Sequence, residues 1–429
     1  MRLLFSAVCP TGFGETLIGV SLADQLRKLG VTSHFIIEPH ALRMLVQARK
    51  HPGHEYTVLE PQMGPLAKLL VDDVIATFRP DAIVLADYLT HCRTFSRRYH
   101  LDPWFIESSG LPVIPIDIWE LEKTGYSIDL ATDDDSDVNE HFRDLPAQLR
   151  PVPLAHLEPD GTCRARPFRV WDREDRVSAR TRGHLRTTLG LEKQDKLVLL
   201  PTAAWQLGKG IRHRKQVIPV RDAMPRILAH YLQQLPPRTH FLLAGEAPEV
   251  LAELPGDRIH RLPPCLPDRF GNLLGAADAI LSLNISATTV TRAVMAGVPT
   301  MVLGNRFDIR DQEDAEKAEV EIGGFSPVVR EQLPGTLPLH PFRLWPLSYY
   351  KFLTPLLTDN PFTGAVSQAE ILDEQAVTGG LTRLLYDQPT RSQALARQFA
   401  YADQVRALPD TPTVFSETLE HIGMGMVVT

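Results

Sequence analysis

Short apolar runs alternate with helical patterns twice along this chain, and the gap between the two series constrains the fold more than any other feature. In the first series LLFSAV from Leu3, SHFIIE from Ser33, a run near 56–59, AIVLA from Ala82 and LPVIPI from Leu111 read as strands. Helical patterns fill the spaces: ETLIGVSLADQLRKLG from Glu15, then segments near 41–49 and 65–78. From about residue 133 the pattern is lost in acidic DDDSD, prolines and RARPFRVWDREDR, an irregular region with room for a hairpin of its own. It restarts at KLVLLP from Lys196 and runs through helix 221–234, THFLLAG, RIHRL, helix 268–276, AILSL, helix 287–296 and TMVLG. Strands this short and apolar are buried on both faces, and strands joined by helices run parallel. The expectation is α/β: two doubly wound parallel-sheet domains in series, with strand carboxyl ends facing a cleft.

The chain has 429 residues, too many for one ordinary core, so two domains are the default. The expected boundaries are 1–190, with the irregular region from about 133, then 191–395 carrying a Pro/aromatic insert at 325–366, then helices over 396–429. Apolar residues make up 44% and charged residues 23%, as in soluble globular proteins, and a net charge of −7 argues against a general nucleic-acid binder. The basic run Arg212-His213-Arg214-Lys215 is a solvated patch or a polyphosphate contact. Cys9, Cys92, Cys163 and Cys265 are scattered without metal-ligand spacing, so no metal is expected, and Cys9 reads as a core residue. The chain starts directly on a strand pattern and holds no apolar run long enough to span a membrane, which points to a reduced, cytoplasmic protein.

The segment SLNISATTVTRAVMAGVP, from Ser282, follows an apolar strand, passes through small hydroxyl residues and enters a helix that stops at Gly297. A helix start carries free N–H groups and the positive end of a dipole. At the carboxyl end of a parallel strand it makes a phosphate site. Asp311-Gln312 follows in DQEDAEKAEVEIGG. The turn after KLVLLP is small, with Thr202 as hydroxyl donor and Lys209 and Arg212 as further contacts. After the first strand, CPTGFGETLIG places Gly12 and Gly14 in a tight turn, and RPDAIVLADYLTHCR carries Asp87 after a strand.

Together these segments resemble GT-B glycosyltransferases, the two-Rossmann enzymes that include plant UDP-glycosyltransferases, antibiotic glycosyltransferases and MurG. The resemblance covers about 1–130 and 196–324. It implies two Rossmann-like domains, a final helix returning to the first domain, and a nucleotide-diphosphate sugar as co-substrate with no separate cofactor. Those enzymes carry Gly-His before the first helix; here the pair is Gly14-Glu15. Glu15 is then either the acceptor base or a first-turn glutamate favoured by the dipole. Asp87 matches the aspartate that orients the base. Two close carboxylates would share a proton. His91, four residues on, is a substitute base or a core histidine. Against HCGWNS-type motifs, Asn284 takes the histidine position, Ser286 the glycine and Thr289 the serine, with Thr288 at the phosphate-facing helix start. Arg292 stands where a glutamate clasps the ribose; an arginine cannot accept a hydrogen bond. Asp311 and Gln312 match the pair that holds the donor sugar, or else cap a helix.

The function implied is metal-independent sugar transfer from a nucleotide diphosphate to a small-molecule acceptor, of the kind met in bacterial secondary metabolism. The insert's Trp345, Tyr349, Tyr350 and Phe352 either line that acceptor's pocket or form a packed lobe. Two rival readings stand beside this one. A nucleotide-sugar 2-epimerase or hydrolase needs no acceptor, and an inactive glycosyltransferase-like partner protein would explain the lost histidine and glutamate. A homodimer is left open.

Overall fold

The computed structural model describes residues 1–10, 12–42, 54–121, 127–128, 136–137, 142, 144–158, 164–171, 177–207, 217–245, 247–262, 265, 267–346 and 350–425. The expected helix near 41–49 lies largely outside them. The chain forms two compact units: one from 1–126, 138–173 and 403–429, the other from 127–137 and 174–402.

In the first unit β1 (Arg2–Ala7), β2 (Thr32–Ile37), β3 (His54–Val58), β4 (Ala82–Leu85) and β5 (Val113–Pro115) form one sheet in the order β3-β2-β1-β4-β5. Every pairing in it is parallel. β1 from Leu3 onward and all of β4 are buried on both faces, with Phe5 stacked on Phe35 of β2 at 4.6 Å. Helices Gly14–Leu26 and Ala67–Phe78 make crossovers; a 3-10 segment, Pro61–Leu66, fills the start of the second. β6 (Ser127–Ile128) and β7 (Ser136–Asp137), which fall in the second unit, pair antiparallel. The irregular stretch also holds β8 (Gln148–Val152) and β9 (Ala165–Arg169), paired in parallel, with Leu149 bridged to Ile116 beyond β5. Pro151 and Pro167 inside these strands hid them from a pattern reading, since proline is confined to sheet margins.

The second unit's sheet comprises β10 (Lys196–Thr202), β11 (Thr239–Gly245), β12 (Ile259–Leu262), β13 (Ala279–Ser282), β14 (Thr300–Gly304) and β15 (Ser367–Glu370). Its order is β12-β11-β10-β13-β14-β15, again all parallel. Successive residues feed opposite cores: Val198, Leu243 and Leu281 pack on one face, Leu199, Leu242 and Ile280 on the other. That is why these strands read as continuous apolar runs. Helix Ala179–Thr188 belongs to this unit, so the chain enters it well before residue 190. Two contacts hold it there: Leu185 packs on that unit's core, and Arg182 and Arg186 grip the buried Asp278 carboxylate at 2.7 and 2.8 Å. Likewise it is residues 403–429, not 396–429, that join the first unit. No helix among the described residues is long and apolar enough to cross a membrane.

Candidate active site

In each sheet the strand order reverses beside a central strand, between β1 and β4 in one and between β10 and β13 in the other. Ligands of open α/β sheets bind outside the carboxyl ends at this reversal. Glu15 and Asp87 follow β1 and β4, Thr202 ends β10, Asn284, Ser286, Thr288 and Thr289 follow β13, and Asp311 and Gln312 follow β14.

In the first unit the turn after β1 leads into helix Gly14–Leu26, with Glu15 in its first turn and no side chain capping its start. The turn after β4 leads to Asp87, which caps helix Tyr88–Thr94 by accepting from Leu89 N at 3.2 Å, Thr90 N at 3.1 Å and the Thr90 hydroxyl. Burial pushes the Asp87 carboxyl up to about 7, and the negative charge of Glu15 pushes in the same direction; the cap hydrogen bonds oppose both. The two carboxyls are therefore electrostatically coupled. On its other side Glu15 accepts from the Cys9 thiol, with Sγ 3.3 Å from Oε2.

His91 is a correction. It lies 1% exposed beneath the sheet's end, its ring against Phe95 at 4.7 Å. Nε2 is 3.0 Å from the Pro103 carbonyl, so it carries the proton, and Nδ1 accepts from the Ser6 hydroxyl at 2.8 Å. Burial pulls its pKa down to about 4. Both nitrogens are committed to the core, because Asp87 starts the helix and His91, one turn on, falls on the face that reaches Ser6 of β1. Of the two readings of His91, the core histidine holds and the substitute base does not.

In the second unit Thr202 ends β10, half-buried. Gly245 ends the neighbouring β11 at φ +93°, where an added Cβ would lie 2.4 Å from the Thr202 carbonyl, so only glycine fits. Beyond β13, Asn284 is 7% exposed, and its Oδ1 accepts from Ser286 N and Ser286 Oγ, both at 2.9 Å. That oxygen shapes the turn. Helix Thr288–Ala296 starts at Ala287, which offers no side-chain cap, and ends on Gly297 in the left-handed region. Thr288 and Thr289 occupy its open first turn. Arg292, a turn further on, is 7% exposed with its guanidinium 5.7 Å above the Phe270 ring. Asp311 caps helix Gln312–Ile322 through Asp314 N at 3.0 Å, and both Asp311 and Gln312 are exposed. The carboxyl ends of β10, β13 and β14 are adjacent, so the Thr202, Asn284–Thr289 and Asp311 loops share one sheet edge.

Residues missed in the sequence brace that edge. Segment 339–345 of the insert makes antiparallel bridges from Leu344 to Asn284, Phe342 to Asn305 and Leu339 to Ile309. Asn305 is fully buried, and its Nδ2 donates to Phe307 O within its own loop at 2.7 Å and to His340 O of the insert at 3.0 Å. Trp345 is 1% exposed, and Nε1 donates to Val220 O at 3.2 Å, so of the two readings of this residue the packed lobe holds and the acceptor pocket does not. Glu370, at the end of β15, accepts from Arg306 N at 2.8 Å and is pushed by burial to about 7. No local motif announces such long-range contacts. Lys209, Arg212, Cys163 and Tyr349 lie outside the described residues, as do the side chains of Tyr350 and Phe352.

The fold defined by these two sheets is that of the GT-B class. HepE of Anabaena, solved with UDP and glucose, superposes at a TM-score of 0.56 over 99% of both chains at 15% identity. Arabidopsis thaliana UGT89C1, solved with UDP-L-rhamnose, gives 0.56 over 98% of both chains at 12% identity. A putative UDP-N-acetylglucosamine 2-epimerase from Listeria monocytogenes gives 0.52 over 98% of this chain and 96% of its own at 12% identity. No curated protein matches the sequence. The chain belongs to DUF6365, a family of unknown function whose model matches residues 22–423.

Proposed function

We propose that this protein is a glycosyltransferase that moves a sugar from a nucleotide-diphosphate donor to a small-molecule acceptor. The observation that carries this reading is the coupled carboxyl pair of Glu15 and Asp87 at the strand-order reversal of the first unit. Burial and the Glu15 charge hold the Asp87 carboxyl up to about 7, so an acid stands beside the carboxylate we assign as the base. Glu15 takes the acceptor's hydroxyl proton. The acceptor oxygen attacks the anomeric carbon, and the bond from that carbon to the diphosphate oxygen breaks. The leaving diphosphate is received by the amides and hydroxyls of Thr288 and Thr289, with the Thr202 loop alongside. The helix start supplies the stabilisation that a metal cation would otherwise give. Asp311 and Gln312 hold the sugar. Asn284 and Ser286 set the turn that aims the helix, and Gly14 lets the first helix begin close to the ligand.

A thermal-shift screen against UDP, dTDP and GDP tests the donor half, because a ligand that binds the native state raises its stability. Glu15→Gln tests the chemical half: transfer should fall by about a hundredfold or more with donor binding intact. Failure of every nucleotide diphosphate to bind would overturn the reading in favour of an inactive partner protein. Turnover of the nucleotide sugar without acceptor would point to an epimerase or hydrolase.

A further inference from the structure

Nothing in the pattern of the sequence set Cys9 apart from a core residue, yet it is placed against the one side chain that the proposed chemistry needs most. Cys9 lies just beyond β1, 5% exposed, with Sγ 3.3 Å from Glu15 Oε2. The loop between them passes without intruding: a Cβ on Gly12 would stand 3.0 Å from Oε2 and 3.3 Å from Sγ, wedged against both. That loop is itself pinned, since the Gly12 carbonyl meets His40 Nε2 at 2.9 Å.

We propose that Cys9 is a positioning residue for Glu15, its thiol holding Oε2 so that Oε1 is left to meet the acceptor hydroxyl. The inference rests on the reading of Glu15 as the base. A glutamate in an uncapped first turn is otherwise free to swing toward the exposed N–H groups of its own helix. A thiol is a weak donor. It orients a carboxylate at small cost to basicity, whereas a lysine or arginine in the same place would suppress the base. The ionisable groups coupled to Glu15 are Cys9 beyond β1 and Asp87 beyond β4, and His40, in the helical segment after β2, meets the Gly12 carbonyl next to it.

The test uses the full chain labelled with 13C at glutamate carboxyls, with the Glu15 signal assigned by its loss in Glu15→Gln. A hydrogen bond to the carboxylate favours the ionised form, so Cys9→Ala should raise the Glu15 midpoint by about half a pH unit, and Cys9→Ser should restore it. The acid limb of kcat/KM should move upward by the same amount in Cys9→Ala, with KM for the donor unchanged. A Glu15 midpoint in Cys9→Ala that stays at the wild-type value overturns the inference, whatever happens to catalysis. A midpoint that moves while the acid limb of kcat/KM does not overturns Glu15 as the base, and the positioning role with it.

Discussion

Asp87 shows how one residue joins chemistry to stability. A carboxyl ordinarily titrates near 4. Here the folded state holds it up to about 7, so it prefers the protonated form more than the unfolded chain does. Its stabilising contribution is complete below about pH 4 and is lost as pH rises through 7. Asp87→Asn keeps a competent helix cap and removes the titration. The variant should therefore gain stability relative to wild type as pH increases from about 4 to 7, then keep a constant margin. Chemical denaturation across that range checks the sign; a margin that shrinks as pH rises would show that Asp87 is ionised in the fold. His91→Ala removes a ring bonded at both nitrogens and should cost about 2–4 kcal/mol. Glu15→Gln should leave the melting temperature nearly unchanged and lose activity, which separates a core residue from a chemical one. If Arg292 stands at the ribose, it offers no acceptor to the ribose hydroxyls, and deoxyribose and ribose diphosphates should bind within about tenfold of each other. Competition between dTDP and UDP measures that ratio, and a ribose preference beyond it would place another acceptor at the sugar.

Among the elements, the insert matters most for the second unit. Its segment 339–345 runs across the ends of β13 and β14 and fixes the loops that carry Asn284 and Asp311. Asn305→Ala removes bonds to Phe307 O and His340 O from a fully buried site and should destabilise the protein by about 2–4 kcal/mol. Hydrogen exchange should quicken at 339–345 and 305–309 together; quickening in one segment alone would show that the bridges do not bind them as a unit. This brace marks the limit of what the sequence discloses. The alternation of apolar runs discloses both sheets, because strands buried on two faces leave no other pattern. Helix Thr288–Ala296 and its Gly297 stop are equally plain, since caps are local. The β8–β9 pair is not, because its prolines imitate a loop. The states of Cys9, His91 and Trp345 are not either, since each depends on a partner distant in sequence or on which side of an element faces the core.

At the scale of the whole molecule, the first unit is assembled from three separate stretches of chain. The last of them carries helix Thr411–His421, where Phe415 and Leu419 are fully buried. Arg166 of β9 reaches Glu417 at 2.7 Å, and the Thr411 hydroxyl donates to Arg169 O at 2.8 Å. Removal of 403–429 should expose the β9 side of this unit and lower its melting temperature by ten degrees or more, roughly the effect of losing two large buried side chains. The second unit should keep its own transition, which calorimetry would resolve; a single undivided loss of both transitions would show that neither unit is stable alone. The same topology imposes an order in time during synthesis. A chain emerging from the ribosome at about 5–20 residues per second presents the first sheet early, but the helix that covers its β9 side arrives last. The second unit, whose stretches are nearly contiguous, is complete while the first still waits for its final residues. The half of the molecule made first is thus the half finished last, and its unfilled β9 side is the surface a chaperone would meet on the nascent chain.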